Sequence, residues 1–230
     1  MKLTQNIKIR LKLLLRFVRD LRSGDYFNLA KKGRALPDFK HSLILKQEIK
    51  RNENFDSKFQ NLSIAATKIK QIIIFPDEIF SFWAAIGNPN KGFAIGRTIR
   101  NGKIVAESGG GLCQASGILQ QLSIIAGLQV LERYNHSVDI YTDETRFCPL
   151  GSDATVVYGY KDLRIRNIYS FPITFQMNIC DAELEITLLS TEKIYEKEIS
   201  FLVEKMDGKK LVTVSDEKAV LYRSEYFEMQ

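Results

Sequence analysis

The stretch that decides the fold is Ser108-Gly109-Gly110-Gly111-Leu112-Cys113-Gln114, which leads into an apolar run that ends near Ala126. Glycine permits backbone conformations that are closed to other residues. The apolar residues that follow recur at helical spacing. Gly127 is suited to end such a helix. The pattern predicts a helix from Cys113 to Ala126 with a cysteine in its first turn, directly after a glycine turn.

Short β-prone runs separated by turn residues make up most of the chain after this helix. The predicted strands are residues 129–132, 135–141, 154–160, 163–167, 173–179, 183–189, 199–203 and 211–214. Asn101-Gly102 predicts a hairpin turn before the helix, and Met206-Asp207-Gly208-Lys209 predicts another near the end. One long helix followed by many strands is typical of an α+β fold. We therefore predict a mostly antiparallel sheet packed on a central helix that starts at the GGGLCQ motif, with further helices near the N-terminus.

The basic character of the chain is concentrated in residues 1–34. They hold ten Lys or Arg against Asp20 and Asp25, which exceeds the net charge of +6 for the whole chain. The rest of the chain is therefore close to neutral, which argues against a nucleic-acid partner. An apolar stripe at helical spacing runs through the same segment. It comprises Leu3, Ile7, Leu11, Leu14, Val18 and Leu21.

This stripe has two interpretations. Either it packs on the body of the protein with its charges in solvent, or it lies on anionic lipid. The longest apolar run near the N-terminus, residues 13–15, is too short for a signal peptide or a membrane span. Three cysteines without close pairs suit a reducing compartment. The sequence predicts a cytoplasmic protein with peripheral contact at the inner membrane face through residues 1–34.

Three segments describe the expected organisation. Residues 1–55 form a basic amphipathic helix and a connector, with a short helix expected around residues 43–49. Residues 56–190 form the central domain, which begins with a helix over Asp56–Gln71. Residues 191–230 form a C-terminal β extension of the same domain. After Pro76, the aromatic run at residues 79–83 is expected to be extended.

Cys113 has the setting of a nucleophile. The start of a helix exposes unpaired backbone N–H groups and the positive end of the dipole, which stabilise a thiolate and lower its pKa. The same N–H groups are suited to a developing oxyanion. Two other interpretations remain: a small buried structural cysteine, and a glycine loop that cradles a ligand. No P-loop or dinucleotide-binding signature accompanies the glycines.

A cysteine nucleophile needs a base and a group that orients the base. His136 lies on a predicted strand after the helix, and Asp153 opens the next strand. The order Cys113, His136, Asp153 matches that of transglutaminase-like and papain-like enzymes, which is an analogy of layout. A histidine that alternates with Val138 and Ile140 is equally well explained as a core residue.

Further residues are candidates for substrate binding. They are Gly109, Gly110, Gly111 and Gln114 around the cysteine, and Glu78, Ser81 and Trp83 in the aromatic run. Glu78 also suits a turn, and Trp83 suits the core. Metal binding is disfavoured, because Cys148, Cys180, His41 and His136 lack paired ligand spacing. No cofactor is expected.

Taken together, these segments resemble the VanW family, named for a protein of vancomycin-resistance gene clusters of the B type. The resemblance covers roughly residues 56–180. The matching stretches are PDEIFSFW from Pro76, Gly102-Lys103, SGGGLCQAS from Ser108, Glu132-Arg133 with His136, Asp153-Ala154-Thr155-Val156, Asp162-Leu163 and Arg166-Asn167. Larger extracellular proteins with this domain are thought to act as L,D-transpeptidases through a cysteine acyl-enzyme. By position, the resemblance implies that Cys113 is that nucleophile.

The resemblance implies a role in cell-wall peptide metabolism and vancomycin resistance. The expected activity is a cysteine-dependent acyl transfer on a peptide or peptidoglycan precursor, with His136 as base and Asp153 as its orienter. The alternative is a non-catalytic module that binds a cell-wall precursor or the inner membrane surface. Peptidoglycan crosslinking takes place outside the membrane, whereas this chain is predicted to be cytoplasmic. Unconventional export, a cytoplasmic precursor as substrate, and a binding role all remain open.

Overall fold

Four helices and thirteen strands make up the part of the chain that the structure, a computed structural model, describes: residues 2–100, 103–139 and 148–228. The helices are α1 (Lys2–Ser23), α2 (Phe55–Ile69), α3 (Phe82–Ile86) and α4 (Leu112–Ile125). The first strands are β1 (His41–Glu48), β2 (Ile73–Ile74), β3 (Ile79–Ser81), β4 (Ile95–Arg100), β5 (Lys103–Ser108), β6 (Gln129–Glu132) and β7 (Val138–Asp139). The others are β8 (Arg164–Arg166), β9 (Ile173–Cys180), β10 (Glu183–Ser190), β11 (Ser200–Met206), β12 (Lys209–Ser215) and β13 (Val220–Glu228).

The described strands form four sheets. Their strand orders are β1-β10-β9-β2, β11-β12-β13-β7, β3-β8-β6 and β4-β5. All pairs within these sheets are antiparallel except β7 with β13. The predicted α+β class with mostly antiparallel strands is therefore confirmed.

Helix α4 occupies the centre of the larger core. Ala115, Ile118 and Leu119 are fully buried there, and the helix contacts α2, β1, β6 and β10. Two serines on the helix are also buried, and their hydroxyls donate to carbonyl oxygens. Ser123 donates to Leu119, and Ser116 donates to Ala154 at 2.6 Å. This second bond ties the segment around Ala154 to the helix that carries Cys113.

The connector before α2 contains a strand where a short helix was expected around residues 43–49. Strand β1 pairs along its whole length with β10, and its burial alternates so that Leu43, Leu45 and Gln47 face inward. A period of two is the signature of a half-buried strand. The helix prediction was wrong because the partner strand lies far along the sequence, where local pattern does not reveal it.

Other strand boundaries also differ from the prediction. Residues 154–160 form irregular chain with one isolated bridge, between Val157 and Lys161. Several of their backbone groups form hydrogen bonds with a side chain or with neighbouring loops, and not with a partner strand. Of the strand expected at 135–141, only β7 forms, and His136 lies just before it. Residues 140 and 141 lie outside the described ranges, as does the Asn101-Gly102 turn. The β11–β12 hairpin agrees with the turn predicted at residues 206–209, and β4 pairs with β5 on either side of residues 101 and 102.

The aromatic run and the C-terminus hold two further differences. Phe82 begins helix α3 and is not extended, since the hydroxyl of Ser81 accepts the Ala84 N–H and caps the helix. Strand β13 was not predicted, and it joins the C-terminal sheet to β7.

Helix α1 lies against the body through a mixed side, on which Ile9, Leu13 and Arg16 are partly buried. Asp20 is buried, whereas Ile7, Leu11 and Leu14 of the apolar stripe are each more than half exposed. The interpretation that this stripe packs on the body is therefore wrong. No helix within the described ranges has both the length and the apolar character needed to cross a bilayer.

Candidate functional site

Cys113 lies in the first turn of α4, and the glycines before it make the turn that starts the helix. Gly109 and Gly111 have φ values of +89° and +95°, which side chains rarely tolerate. A Cβ on Gly111 would lie 2.6 Å from Lys58 Cγ. The Gly110 carbonyl accepts from Asn61 Nδ2 at 2.9 Å. Gly110 and Gly111 thus contact α2, whereas Gly109 contacts Pro89, Ala94 and Leu112. The expected role of these glycines in substrate binding stays a prediction.

The thiol of Cys113 is half-buried among polar groups. Its Sγ lies 3.5 Å from Thr155 Oγ1 and 3.9 Å from the carbonyl oxygen of Val156. The imidazole of His136 lies close enough to lower the pKa of this thiol. The structure therefore brings together the cysteine and the histidine that the sequence singled out.

Asp153 holds His136 in position from the side away from the thiol. Its Oδ2 lies 2.6 Å from His136 Nδ1 and accepts the His136 backbone N–H at 2.8 Å. Because Nδ1 is engaged by the carboxylate, Nε2 is the ring nitrogen left for Cys113. The thiol, the imidazole and the carboxylate thus follow one another in the order that a base-activated nucleophile requires, and their catalytic roles stay a prediction.

Arg133 and Tyr226 complete the surroundings of Asp153. Arg133 Nη2 lies 3.1 Å from Asp153 Oδ1, and its Nε donates to the Asp153 carbonyl at 2.7 Å. The Tyr226 hydroxyl donates to the same Oδ1. Arg133 also donates to Ser224 Oγ at 2.7 Å and stacks on the ring of Tyr222, with 4.3 Å from Cζ to the ring centroid. Both oxygens of the Asp153 carboxylate therefore have two hydrogen-bond partners each.

These contacts shift the pKa values of the three groups together. Burial acts to raise the pKa of Cys113, but the hydrogen bond and charge of His136, with help from Thr155, bring it below its usual value. Burial acts to lower the pKa of His136, yet Asp153 and Cys113 raise it to about 10. Burial opposes ionisation of Asp153 as well, but His136 and Arg133 lower its pKa to about 2. The site therefore favours a thiolate beside an imidazolium.

One backbone donor next to the thiol is open. The N–H groups of Leu112 and Gln114 donate to the carbonyl oxygens of Gly109 and Gly111 at 3.2 and 2.9 Å. The Cys113 N–H has no acceptor among the described residues. It is therefore the donor from the predicted Gly111–Gln114 group that suits an oxyanion.

Gln114 itself points elsewhere. Its side chain is buried, and Nε2 donates to the carbonyl oxygen of Glu48 at the end of β1, at 2.8 Å. None of its described side-chain bonds reaches Cys113, so a role in substrate binding stays a prediction.

The residues of the aromatic run lie at two different places. Glu78 pairs with Arg34 at 2.6 Å and accepts the Phe75 N–H, which are the contacts of a turn residue. Ser81 donates to Asp162 Oδ2 at 2.6 Å. None of these bonds involves Cys113, His136 or Asp153.

Trp83 contacts the segment that also lines the thiol. Its Nε1 donates to the Lys161 carbonyl at 2.7 Å, and its ring packs edge-on against Tyr158 with centroids 5.4 Å apart. The carbonyl of Val156 approaches Cys113 Sγ, and Tyr158 lies two residues further along the chain. Trp83 and Tyr158 therefore lie at the far end of the segment that lines the thiol.

Metal ligation has no support in the described ranges, where no group of three or more His, Cys, Asp or Glu side chains is placed to hold an ion. His41 lies on β1 and Cys180 ends β9, both in the β1-β10-β9-β2 sheet, whereas His136 lies just before β7 of the other four-stranded sheet.

Sequence reasoning missed the part of the site that β13 supplies. Tyr222, Ser224 and Tyr226 alternate along this strand and so share the face that meets Arg133 and Asp153. The alternation is visible in the sequence at 220–228. The alternation does not indicate, however, which side chains this face of the strand will contact.

Comparisons with known proteins identify the family to which this chain belongs. The family model described as "VanW like protein" matches residues 57–189. The "Uncharacterized protein YoaR" of Bacillus subtilis is 35% identical over 145 residues, which cover 62% of this chain and 46% of that protein. The "Vancomycin B-type resistance protein VanW" of Enterococcus faecalis is 34% identical over 123 residues, covering 50% and 45%.

The chain spans less than half the length of either relative. No solved structure matches it significantly. The family match nevertheless covers more than half of this chain and includes Cys113, His136 and Asp153. The protein therefore belongs to the VanW family.

Proposed function

We propose that this protein is a cysteine acyltransferase that acts on an amide or ester carbonyl of a peptide. The observation that carries the proposal is the series from Cys113 Sγ through the His136 ring to the Asp153 carboxylate, in which Nδ1 and Oδ2 are 2.6 Å apart. A buried structural cysteine needs no such charged partner, whereas a nucleophile does.

The first half-reaction forms a thioester. The Cys113 thiolate attacks the carbonyl carbon, and the new S–C bond places negative charge on the carbonyl oxygen. In this proposal the Cys113 N–H, which has no acceptor among the described residues, donates to that oxygen. When the tetrahedral intermediate collapses, the C–N or C–O bond breaks, and His136 gives its proton to the departing amine or alkoxide. Asp153 keeps the imidazolium oriented throughout.

The second half-reaction releases the acyl group to an acceptor. His136, now neutral, takes a proton from an acceptor amine or water as this attacks the thioester carbonyl. The C–S bond breaks, and Cys113 leaves as the thiolate beside the reprotonated His136. An amine acceptor gives transfer and water gives hydrolysis.

The substrate class in this proposal is a cell-wall peptide or peptidoglycan precursor. Its support is the resemblance to domains thought to work as L,D-transpeptidases and the name of the Enterococcus relative, which links that protein to vancomycin resistance. In this proposal the partly exposed rings of Trp83 and Tyr158 contact such a peptide.

An activated ester tests for the acyl-enzyme without knowledge of the natural substrate. With p-nitrophenyl acetate, we expect Cys113 to be acetylated about 100-fold faster than the exposed Cys180, because a paired base contributes on this scale. Peptide mass spectrometry resolves the two sites, and Cys113→Ala should lose only the fast adduct. Equal rates of acetylation at the two cysteines would rule out the proposed acyltransferase activity. The non-catalytic binding module would then be the better explanation.

The pH dependence of alkylation tests the base. The pKa of Cys113 is lowered, so alkylation by iodoacetamide should rise in one step centred below the ordinary thiol value of 9.0. His136→Ala removes the hydrogen bond and charge that oppose burial, so the step should move to higher pH. His41→Ala, an exposed histidine on β1, is the control and should leave the step in place. A step that is unmoved in His136→Ala would show that His136 does not act on the thiol.

A further inference from the structure

The apolar stripe of α1 faces away from the rest of the protein. Ile7, Leu11 and Leu14 are 57, 55 and 56% exposed. Leu15, Phe17 and Leu21 are also exposed, at 55, 42 and 37%. A soluble helix ordinarily turns such a stripe toward the core. Here the stripe forms a continuous exposed apolar face, which marks an interaction site.

Buried charges on the opposite side hold the helix in this orientation. Arg164 Nη1 donates to Asp20 Oδ1 at 2.8 Å, and both side chains are at most 6% exposed. Arg16 makes a two-pronged bond to Glu132, with distances of 2.7 and 2.8 Å. Rotating the stripe inward would separate these pairs and leave buried charges without partners, which is strongly unfavourable. The outward stripe is therefore a fixed property of the fold.

The flanks of the stripe carry positive charge alone. Lys8, Arg10, Lys12, Arg19 and Arg22 are all exposed. The one acidic residue of the helix, Asp20, lies on the inner side and is bound to Arg164. Arg19 has a weak second contact with Glu132 at 3.4 Å. The exposed surface is therefore apolar with basic borders.

Two aromatic residues extend this surface beyond the end of the helix. Tyr26 and Phe27 are 43 and 71% exposed and pack edge-on against each other, with Phe17 alongside Tyr26. Amphipathic aromatic rings suit the boundary between headgroups and acyl chains.

We propose that α1, with Tyr26 and Phe27, lies in the plane of an anionic lipid bilayer and attaches the protein to it. The apolar row inserts at the boundary of headgroups and acyl chains, and the Lys and Arg borders contact anionic headgroups. A protein partner would need an acidic rim around an apolar groove to match this surface. The uniform basic border and terminal aromatics fit a lipid surface better. This attachment is independent of the chemistry of Cys113.

Vesicle flotation of the full chain tests the attachment. The protein should float with vesicles of phosphatidylcholine and phosphatidylglycerol and remain at the bottom with pure phosphatidylcholine. Leu11→Ser/Leu14→Ser should weaken the binding about tenfold or more, because each removes an inserted apolar side chain. Lys8→Gln/Arg22→Gln should weaken it by about fivefold per charge at low salt. All four positions are exposed, so circular dichroism should be unchanged.

A matched control uses exposed apolar residues elsewhere. Leu202→Ser/Val220→Ser alters side chains that are 61 and 52% exposed on the C-terminal sheet and should float like the unaltered chain. Equal flotation of all variants, or equal binding to neutral vesicles, would overturn the proposal. A dimer that forms without lipid would also overturn it, if light scattering shows that the Leu11→Ser/Leu14→Ser variant is a monomer. In that case a second copy of the chain, and not lipid, would cover the apolar stripe.

Discussion

Asp153→Asn should lower the reactivity of Cys113 toward iodoacetamide at pH 7 by about tenfold or more. Each unit by which the pKa of the thiol rises lowers the fraction of thiolate about tenfold. The substitution keeps the shape of the side chain but removes the charge that supports the His136 imidazolium. The pKa of His136 should fall from about 10 toward its ordinary 6.5. The thiolate of Cys113 then loses the neighbouring positive charge that offsets its burial.

The same substitution should destabilise the protein by about 3 kcal/mol, because the buried Arg133 guanidinium loses its counter-charge. Urea unfolding measures this loss. Asp216→Asn is the control: its carboxylate also has a pKa of about 2, but it pairs with the remote Lys197. It should leave the thiol titration unchanged. Unaltered reactivity in Asp153→Asn would remove Asp153 from the site.

Tyr226→Phe is the fallback if Asp153→Asn does not fold. It deletes one donor to Asp153 and leaves Arg133 in place. The pKa of Asp153 should rise from about 2 toward 3.8. Asp153 stabilises the fold above pH 3.8, and this contribution is lost as the pH falls through about 2. In Tyr226→Phe this contribution should therefore be smaller, and its loss should be complete at a higher pH.

Arg164→Met should lower the free energy of unfolding by about 3–5 kcal/mol at pH 7. Arg164 is the centre of a buried cluster, within 3.6 Å of Asp20, Glu132 and Asp162. Without it, these carboxylates share Arg16 alone as a close, mostly buried cation. Helix α1 should then detach, which limited digestion with trypsin detects as faster cleavage near residue 16.

The stability lost in Arg164→Met should depend on pH. Burial acts to raise the pKa of Asp20, but Arg164 holds it below its ordinary value of 3.8. The pair therefore stabilises the fold above that pH, and this contribution is lost as the pH falls through the lowered pKa. The gap between Arg164→Met and the unaltered chain should thus shrink in acid. A gap independent of pH would mean that shape, and not charge, is what Arg164 contributes.

Arg166→Met is the matched control on the same strand, β8. Arg166 pairs with Asp25 at 3.1 Å, and the two side chains are 29 and 26% exposed. Exposed pairs contribute about 0–1 kcal/mol. Similar losses in Arg164→Met and Arg166→Met would show that burial of the Arg164 cluster has no special role in fixing α1.

Part of the fold was predictable because it rests on local pattern. Helix α4 and strands β6, β9 and β10 each lie within about one residue of their predicted bounds, since their apolar periodicity runs unbroken. Strand β1 was mistaken for a helix because its alternation is short and its stability comes from hydrogen bonds to β10. The segment 154–160 fails as a strand for the opposite reason: β-prone residues were present, but their backbone partners lie elsewhere.

The candidate site divides in the same way. Residue type and position alone pointed to Cys113, His136 and Asp153, because a thiol at a helix start and a single nearby histidine are chemically conspicuous. Their 2.6 Å Asp–His contact, the shifted pKa values and the roles of Arg133 and Tyr226 depend on chain segments far apart in sequence.

Sequence by itself determined the VanW family membership, the α+β class, the helix that presents Cys113 and the amphipathic character of α1. These are properties of residue order, read through glycine turns and apolar spacing. Only the tertiary structure decided which way α1 faces and which groups surround the thiol. The physical reason is that buried ion pairs, such as Asp20 with Arg164 and Asp153 with Arg133, are satisfied only by distant partners. Their large cost when unpaired overrides the local preference of an apolar stripe to turn inward.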